Sequence, residues 1–201
     1  ITSCVQYALA DAGIEEPDLD KLEPFIGPPL TDSFREFYGF DDEQIKRAID
    51  KYHERFDEKG IFENEIIEGI PELLKALKDA GRRVSIASSK PRPLVIRILE
   101  HFEIAQYFDT VVGSEFDGRF ATKEAVVEEA LKQLVPSVYE KEDVAMVGDR
   151  KFDIQGARAH GLTGIGVSFG YAGEHELEDA GADYIVDTVE ELQRLLLQGS
   201  L

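Results

Sequence analysis

The segment Gly148-Asp149-Arg150-Lys151-Phe152-Asp153 follows the apolar run Val144–Val147. The glycine lets the chain turn tightly, and two carboxylates follow at a spacing of four residues. Such a pair can serve one hard cation, directly or through water, since magnesium keeps several waters and uses few protein carboxylates. Either aspartate can instead cap the following helix, and spacing alone leaves both readings open. A second polar group, Ser88, Ser89 and Lys90, follows the apolar run Val84–Ala87. Hydroxyls and amides ahead of a helix can bind phosphate oxygens, or form a plain strand-to-helix turn. Lys123 opens a third segment. A cation at a helix N-terminus is poorly placed for the dipole. That position suits a specific anionic partner, although a solvated surface lysine is the ordinary case.

Other residue types offer less. His53, His101, His160 and His175 are scattered without ligand spacing and read as surface or cap residues. Cys4 is the single cysteine, which excludes a disulfide framework and any multi-cysteine metal site. No basic or histidine neighbour activates it as a nucleophile. The glycines of Gly161 to Gly173 do not make a G-x-G-x-x-G that opens a helix after the first strand, so a dinucleotide site is disfavoured.

The candidate residues sit in an alternating pattern. Strands are expected at Val84–Ala87, Thr110–Val112, Val144–Val147, Ile165–Val167 and Tyr184–Val186. Helices are expected at Pro71–Ala80, Pro93–Phe102, Lys123–Leu134, Asp153–His160 and Val189–Leu197. Short apolar runs without polar alternation, each followed by a helix, imply a parallel sheet covered on both faces. That is a doubly wound, Rossmann-like α/β core, whose sites lie beyond the carboxyl ends of the strands. The three polar groups occupy those ends. Residues 1–64 differ. Val5, Ala8, Leu9 and Ala12, then Leu30, Phe34, Phe37 and Tyr38, then Ile45, Ile49, Tyr52 and Phe56 have helical spacing. Asp41 or Asp42 can cap the last of these helices. A helical domain over 1–64 and an α/β core over 65–201 are expected.

The chain has 201 residues, with 22 Lys+Arg against 41 Asp+Glu, a formal net charge of −19. This balance argues against nucleic acid and against anionic membrane surfaces. No stretch is long and apolar enough for a membrane helix, and no signal peptide is visible. A cytoplasmic protein is expected. An acidic substrate would need a metal ion or a local basic pocket.

In combination the segments resemble the haloacid dehalogenase-like superfamily, in its phosphoglycolate-phosphatase-like branch. Ile86-Ala87-Ser88-Ser89-Lys90-Pro91 is similar to the second motif, Lys123 stands where the third lysine-bearing element falls, and Asp149-x-x-x-Asp153-Ile154-x-Gly156-Ala157 is similar to the fourth. Phe25-Ile26-Gly27-Pro28-Pro29-Leu30 is similar to the specificity loop of an inserted helical cap. The resemblance implies a Mg²⁺-dependent phosphatase of a small phosphorylated metabolite, phosphoglycolate-like or nucleotide-like, working through an aspartyl-phosphate. It implies Asp149 and Asp153 at the metal. It implies Ser88, Ser89 and Lys123 at the phosphate, with Ser88 and Lys123 also catalytic. It implies a monomer or homodimer. A phosphosugar mutase would use the same residues.

The family's first motif, Asp-x-Asp-Gly-Thr, which supplies the nucleophile and the acid/base, is not in this sequence; Asp117-Gly118 is followed by Arg119 and is no substitute. The resemblance places the strand bearing it between the Val84 and Val144 strands. Omitting that strand would leave unpaired backbone groups on both neighbours, at about 1–3 kcal/mol each. A further N-terminal strand and loop are therefore expected. Without a nucleophile there, the protein would be a non-catalytic binding protein.

Overall fold

Asp41 sets the longest helix of the N-terminal half. Its side chain accepts the Gln44 N–H at 2.9 Å, and the Gln44 side-chain oxygen accepts the Asp41 N–H at 3.0 Å. This reciprocal cap satisfies two donors that a helix start otherwise leaves open. The helix, α3 (Asp42–Glu58), follows α1 (Thr2–Asp11) and α2 (Leu30–Tyr38). It buries Ile45, Ala48, Tyr52 and Phe56, and packs on α1, which buries Cys4, Val5, Ala8 and Leu9. Phe25 and Phe34 meet edge to face, with centroids 5.0 Å apart, a favoured aromatic arrangement. Ile1–Glu65 forms one compact unit and Ile66–Leu201 a second. The computed structural model describes residues 1–115, 119–120, 122–134 and 143–198, so Asp117-Gly118 lies outside the described residues.

The second unit alternates helices and strands. The order is α4 (Ile70–Asp79), β1 (Ser85–Pro91), α5 (Arg92–His101), β2 (Thr110–Ser114), α6 (Lys123–Leu134), β3 (Ala145–Gly148) and α7 (Lys151–Ala159). Then follow β4 (Thr163–Val167), α8 (Glu176–Ala180), β5 (Tyr184–Val186) and α9 (Val189–Gln198). Every strand pair is parallel. One apolar cluster joins Leu73 and Leu77 of α4 and Leu192 of α9 to Ile165, Val167 and Val186. Another joins Val127 of α6 to Ala157 and Leu162. The unit is α/β, with helices packed on parallel strands.

Two features depart from the expected elements. The Val84–Ala87 strand does not end before the serines; β1 continues to Pro91. Ser85–Ser88 pair with Thr110–Gly113, the register shifts, and Pro91 pairs with Ser114. Proline has no N–H to give a ladder, and it is tolerated where a ladder is irregular. The short helix α8 was also not anticipated, because five residues carry too little apolar periodicity to announce themselves.

The strands form two pieces, β1-β2 and β3-β4-β5. A cavity of about 1020 Å³ is lined by Ile86 and Ala87 of β1 and by Ala145 and Val147 of β3. Leu73 and Leu77 of α4 and Val127 and Leu131 of α6 line it too. Among the described residues no strand joins β1 to β3.

Candidate functional site

Ser88, Lys123, Asp149 and Asp153 all line this cavity. Ser88 stands late in β1, and its Oγ accepts the Lys90 N–H at 3.1 Å. Ser89 is the next residue of a strand, so its side chain points to the opposite side. It is exposed and lies outside the cavity lining; its carbonyl accepts the Ser114 hydroxyl at 2.8 Å. The structure therefore brings Ser88 to the carboxylates and leaves Ser89 facing elsewhere.

Lys123 is the first residue of α6. Its Nζ donates to Asp153 Oδ1 at 2.8 Å and to the Ala87 carbonyl at 2.9 Å. Both side chains of this ion pair are nearly buried, 14% and 11% exposed. The Asp153 charge and the carbonyl offset the unfavourable helix-start position of the lysine. An ammonium has three donors, so one N–H is left to meet an anion.

Asp153 occupies the first turn of α7. Its Oδ2 accepts the Arg150 N–H at 3.1 Å, which is a capping bond. Asp153 thus caps its helix and also lines the cavity. A Cβ at Gly148 would overlap the Asp153 side chain, so glycine is required for Asp153 to lie against the end of β3.

Asp149 leaves β3 one residue later. Its Oδ2 accepts the Tyr171 N–H at 2.9 Å, and its Oδ1 takes no donor among the described residues. A Cβ at Gly170 would overlap the Asp149 side chain. Gly170 and Tyr171 follow β4, at the carboxyl edge where the other candidates lie, and reading the residues after every strand would have found them.

Chemically, the arrangement offers a carboxylate oxygen open to a hard cation, a second carboxylate one turn away, a hydroxyl and a partly committed ammonium. Among the described residues no three His, Cys, Asp or Glu side chains converge. An oxygen-lined site with one or two carboxylates fits Mg²⁺, which keeps most of its water, better than a metal that needs a full protein cage.

Glu176 also belongs to this edge. It accepts from Arg150 Nε and from the Lys151 N–H at 2.8 Å each, and from the Gly173 N–H at 3.1 Å. Burial pushes its carboxyl up, but the Arg150 guanidinium and the two backbone N–H groups more than offset this and hold it below the usual carboxylate range. Arg150 and Lys151 stand 26 and 25 residues away, too far in the chain for a sequence signal. Among the described residues no helix is long and apolar enough to cross a membrane.

Known proteins bear on this geometry. The chain is 43% identical, over 178 residues, to a 5'-nucleotidase of Pseudomonas aeruginosa, covering 88% of this chain and 79% of that protein. It is 35% identical over 199 residues to the tyrosine-protein kinase PtkA of Mycobacterium tuberculosis, covering 98% of this chain and 66% of that protein. Its fold is similar to the crystal structure of a predicted phosphatase from Clostridium acetobutylicum. There the TM-score is 0.91 and the identity 44%, covering 98% of this chain and 90% of that one. A model of haloacid dehalogenase-like hydrolases matches residues 1–167. The chain belongs to the haloacid dehalogenase-like hydrolase family.

Proposed function

We propose that the protein is a Mg²⁺-dependent phosphatase acting on a small phosphorylated metabolite, with a nucleoside monophosphate preferred over phosphoglycolate. The observation that carries this reading is the convergence of Ser88, Lys123, Asp149 and Asp153 on one cavity at the strand ends. The named nucleotidase relative supports the substrate preference.

Each residue has a role in this reading. Asp149 holds the metal through its open Oδ1. Asp153 would support it, directly or through water, while its oxygens also accept from Lys123 and the Arg150 N–H. Ser88 donates its hydroxyl to a phosphoryl oxygen. Lys123 gives its remaining N–H to the same group, and its bond to the Ala87 carbonyl fixes where that N–H points. Mg²⁺, when bound, supplies charge neutralisation at the phosphoryl oxygens. Ser89 has no part.

The nucleophile in this reading is an aspartate on a strand running through the cavity between β1 and β3. Its carboxylate attacks phosphorus as the ester P–O bond breaks, and the motif's second aspartate protonates the leaving oxygen to give the alcohol; that aspartate then takes a proton from a water whose oxygen attacks phosphorus, freeing phosphate and restoring the first carboxylate. Splitting one difficult step in two is the gain of covalent catalysis. The helical unit acts as a cap that selects the leaving group. A cytoplasmic location, as a monomer or homodimer, accompanies this reading.

The test is phosphate release by the full-length protein from a panel of phosphomonoesters, nucleoside monophosphates, phosphoglycolate and a sugar monophosphate included, with Mg²⁺ and with EDTA. Release of free phosphate, lost in EDTA, is expected. Phosphate retained on an isomerised sugar would mean a mutase, and no turnover of any ester would mean a binding protein.

A further inference from the structure

We propose that Glu176 is a positioning residue for Asp149, through a closed ring of hydrogen bonds; this rests on the reading of Asp149 as the metal-holding carboxylate. The ring runs from Asp149 along the backbone to Arg150 and Lys151, and from them to Glu176 Oε1. It crosses the carboxylate to Oε2 and the Gly173 N–H, runs back along the chain to Tyr171, and closes at Asp149 Oδ2. One carboxylate thus ties the turn after β3 to the segment after β4. That second segment holds both constraints on Asp149: the Tyr171 N–H, and the glycine surface of Gly170 that the aspartate lies upon.

Two further observations support a segment held from outside rather than by its own preference. His175, next to Glu176, has φ of +60°, a left-handed conformation that non-glycine residues adopt when surrounding contacts over-determine it. Glu176 and Arg150 are each only 15% exposed, so their contact, the anchor of the ring, is partly shielded from competing water. A lone hydrogen bond from a loop amide would otherwise be an exposed, easily opened contact. Groups that orient a metal ligand without touching the metal commonly change affinity by about 10–100-fold when removed.

The experiment combines amide hydrogen exchange at Tyr171 and Gly173 in the metal-free protein with calorimetric Mg²⁺ titration of the same samples. The variants are Glu176→Ala, Glu176→Gln and Asp149→Asn. Asp109→Ala serves as a stability control, because Asp109 pairs Lys78 and accepts the Val84 N–H in the same unit, without contact to the ring. Glu176→Ala is expected to speed Tyr171 exchange and weaken Mg²⁺ affinity, each about 10-fold. Glu176→Gln, which keeps an acceptor for Arg150 and Lys151, should rescue part of both and gives the answer should the alanine variant fail to fold. Asp109→Ala should move neither at a temperature well below its unfolding midpoint.

Parent-like exchange, or parent-like Mg²⁺ affinity, in both Glu176 variants would overturn the inference, as would an equal response in Asp109→Ala. If Mg²⁺ binding survives Asp149→Asn, the metal reading fails instead, and the exchange data still decide whether Glu176 holds Tyr171.

Discussion

In the helical unit Ser33 is the one buried polar residue among those described, while the α/β unit buries Asp153. Ser33 is neutral and gives its hydroxyl to the Pro29 carbonyl at 3.3 Å. Asp153 needs an ammonium, a backbone N–H and a glycine to lie against. One unit is therefore specified mainly by ring and aliphatic packing, which tolerates substitutions of similar volume. The other adds to its apolar clusters a nearly buried polar contact, in which removing one partner strands the other.

The sharpest way to break this contrast is Lys123→Met. It leaves the Asp153 carboxylate nearly buried and without its ammonium, which costs about 3–5 kcal/mol for a buried pair. Urea unfolding would measure it, and adding Asp153→Leu should restore most of the loss. A single variant as stable as the parent would show that the pair is dispensable. Phe34→Leu in the helical unit is the matching test of tolerance. Phe34 is fully buried, and leucine leaves a modest void but no stranded charge, so the cost should be about 1–2 kcal/mol. A larger loss would mean that the aromatic cluster is as exacting as the charged one.

A smaller effect comes from acid. The Glu176 carboxyl is held below its ordinary value of 4.5 in the folded protein. A depressed carboxyl contributes stability in full above its unfolded pKa, and loses it as pH falls through the folded one. Glu176→Gln should therefore flatten the acid limb of the stability curve below about pH 4.5. In the helical unit the hydrogen-bonded Arg55 guanidinium likewise lowers Glu63, but that carboxylate is 41% exposed. Glu63→Gln should thus change the same curve less, because solvent screens the pair. Unfolding midpoints measured from pH 3 to pH 7 would rank the two variants, and an inverted ranking would contradict the contrast.

Much of this molecule can be read from its residues in order. Asp41 or Asp42 ahead of an apolar stripe predicts the start of α3, where Asp41 is the cap, and Lys123–Leu134 forms a helix over the expected span. The alternation of short apolar runs with helices predicts the parallel strands. Local periodicity carries these features. It fails where a distant partner decides. The strand expected over Val84–Ala87 runs on to Pro91, where Ser114 of β2 is there to pair with it. Ser88 and Ser89 are equal candidates by type, and only the alternation of the extended strand separates them. The roles of Asp149 and Asp153 diverge because Lys123, Arg150 and Tyr171 claim different oxygens. Glu176 is invisible from sequence, since Arg150 and Lys151 reach it from another turn of the chain.

The central claim is that Asp149 holds the ion on which phosphate release depends. It is tested most directly by the Mg²⁺ dependence of phosphate release from a nucleoside monophosphate, for the full-length protein and its Asp149→Asn variant. The account predicts at least a ~100-fold loss in the variant. Its unfolding midpoint should stay close to the parent's, because the amide still accepts the Tyr171 N–H. Equal release with an unchanged Mg²⁺ requirement would contradict it.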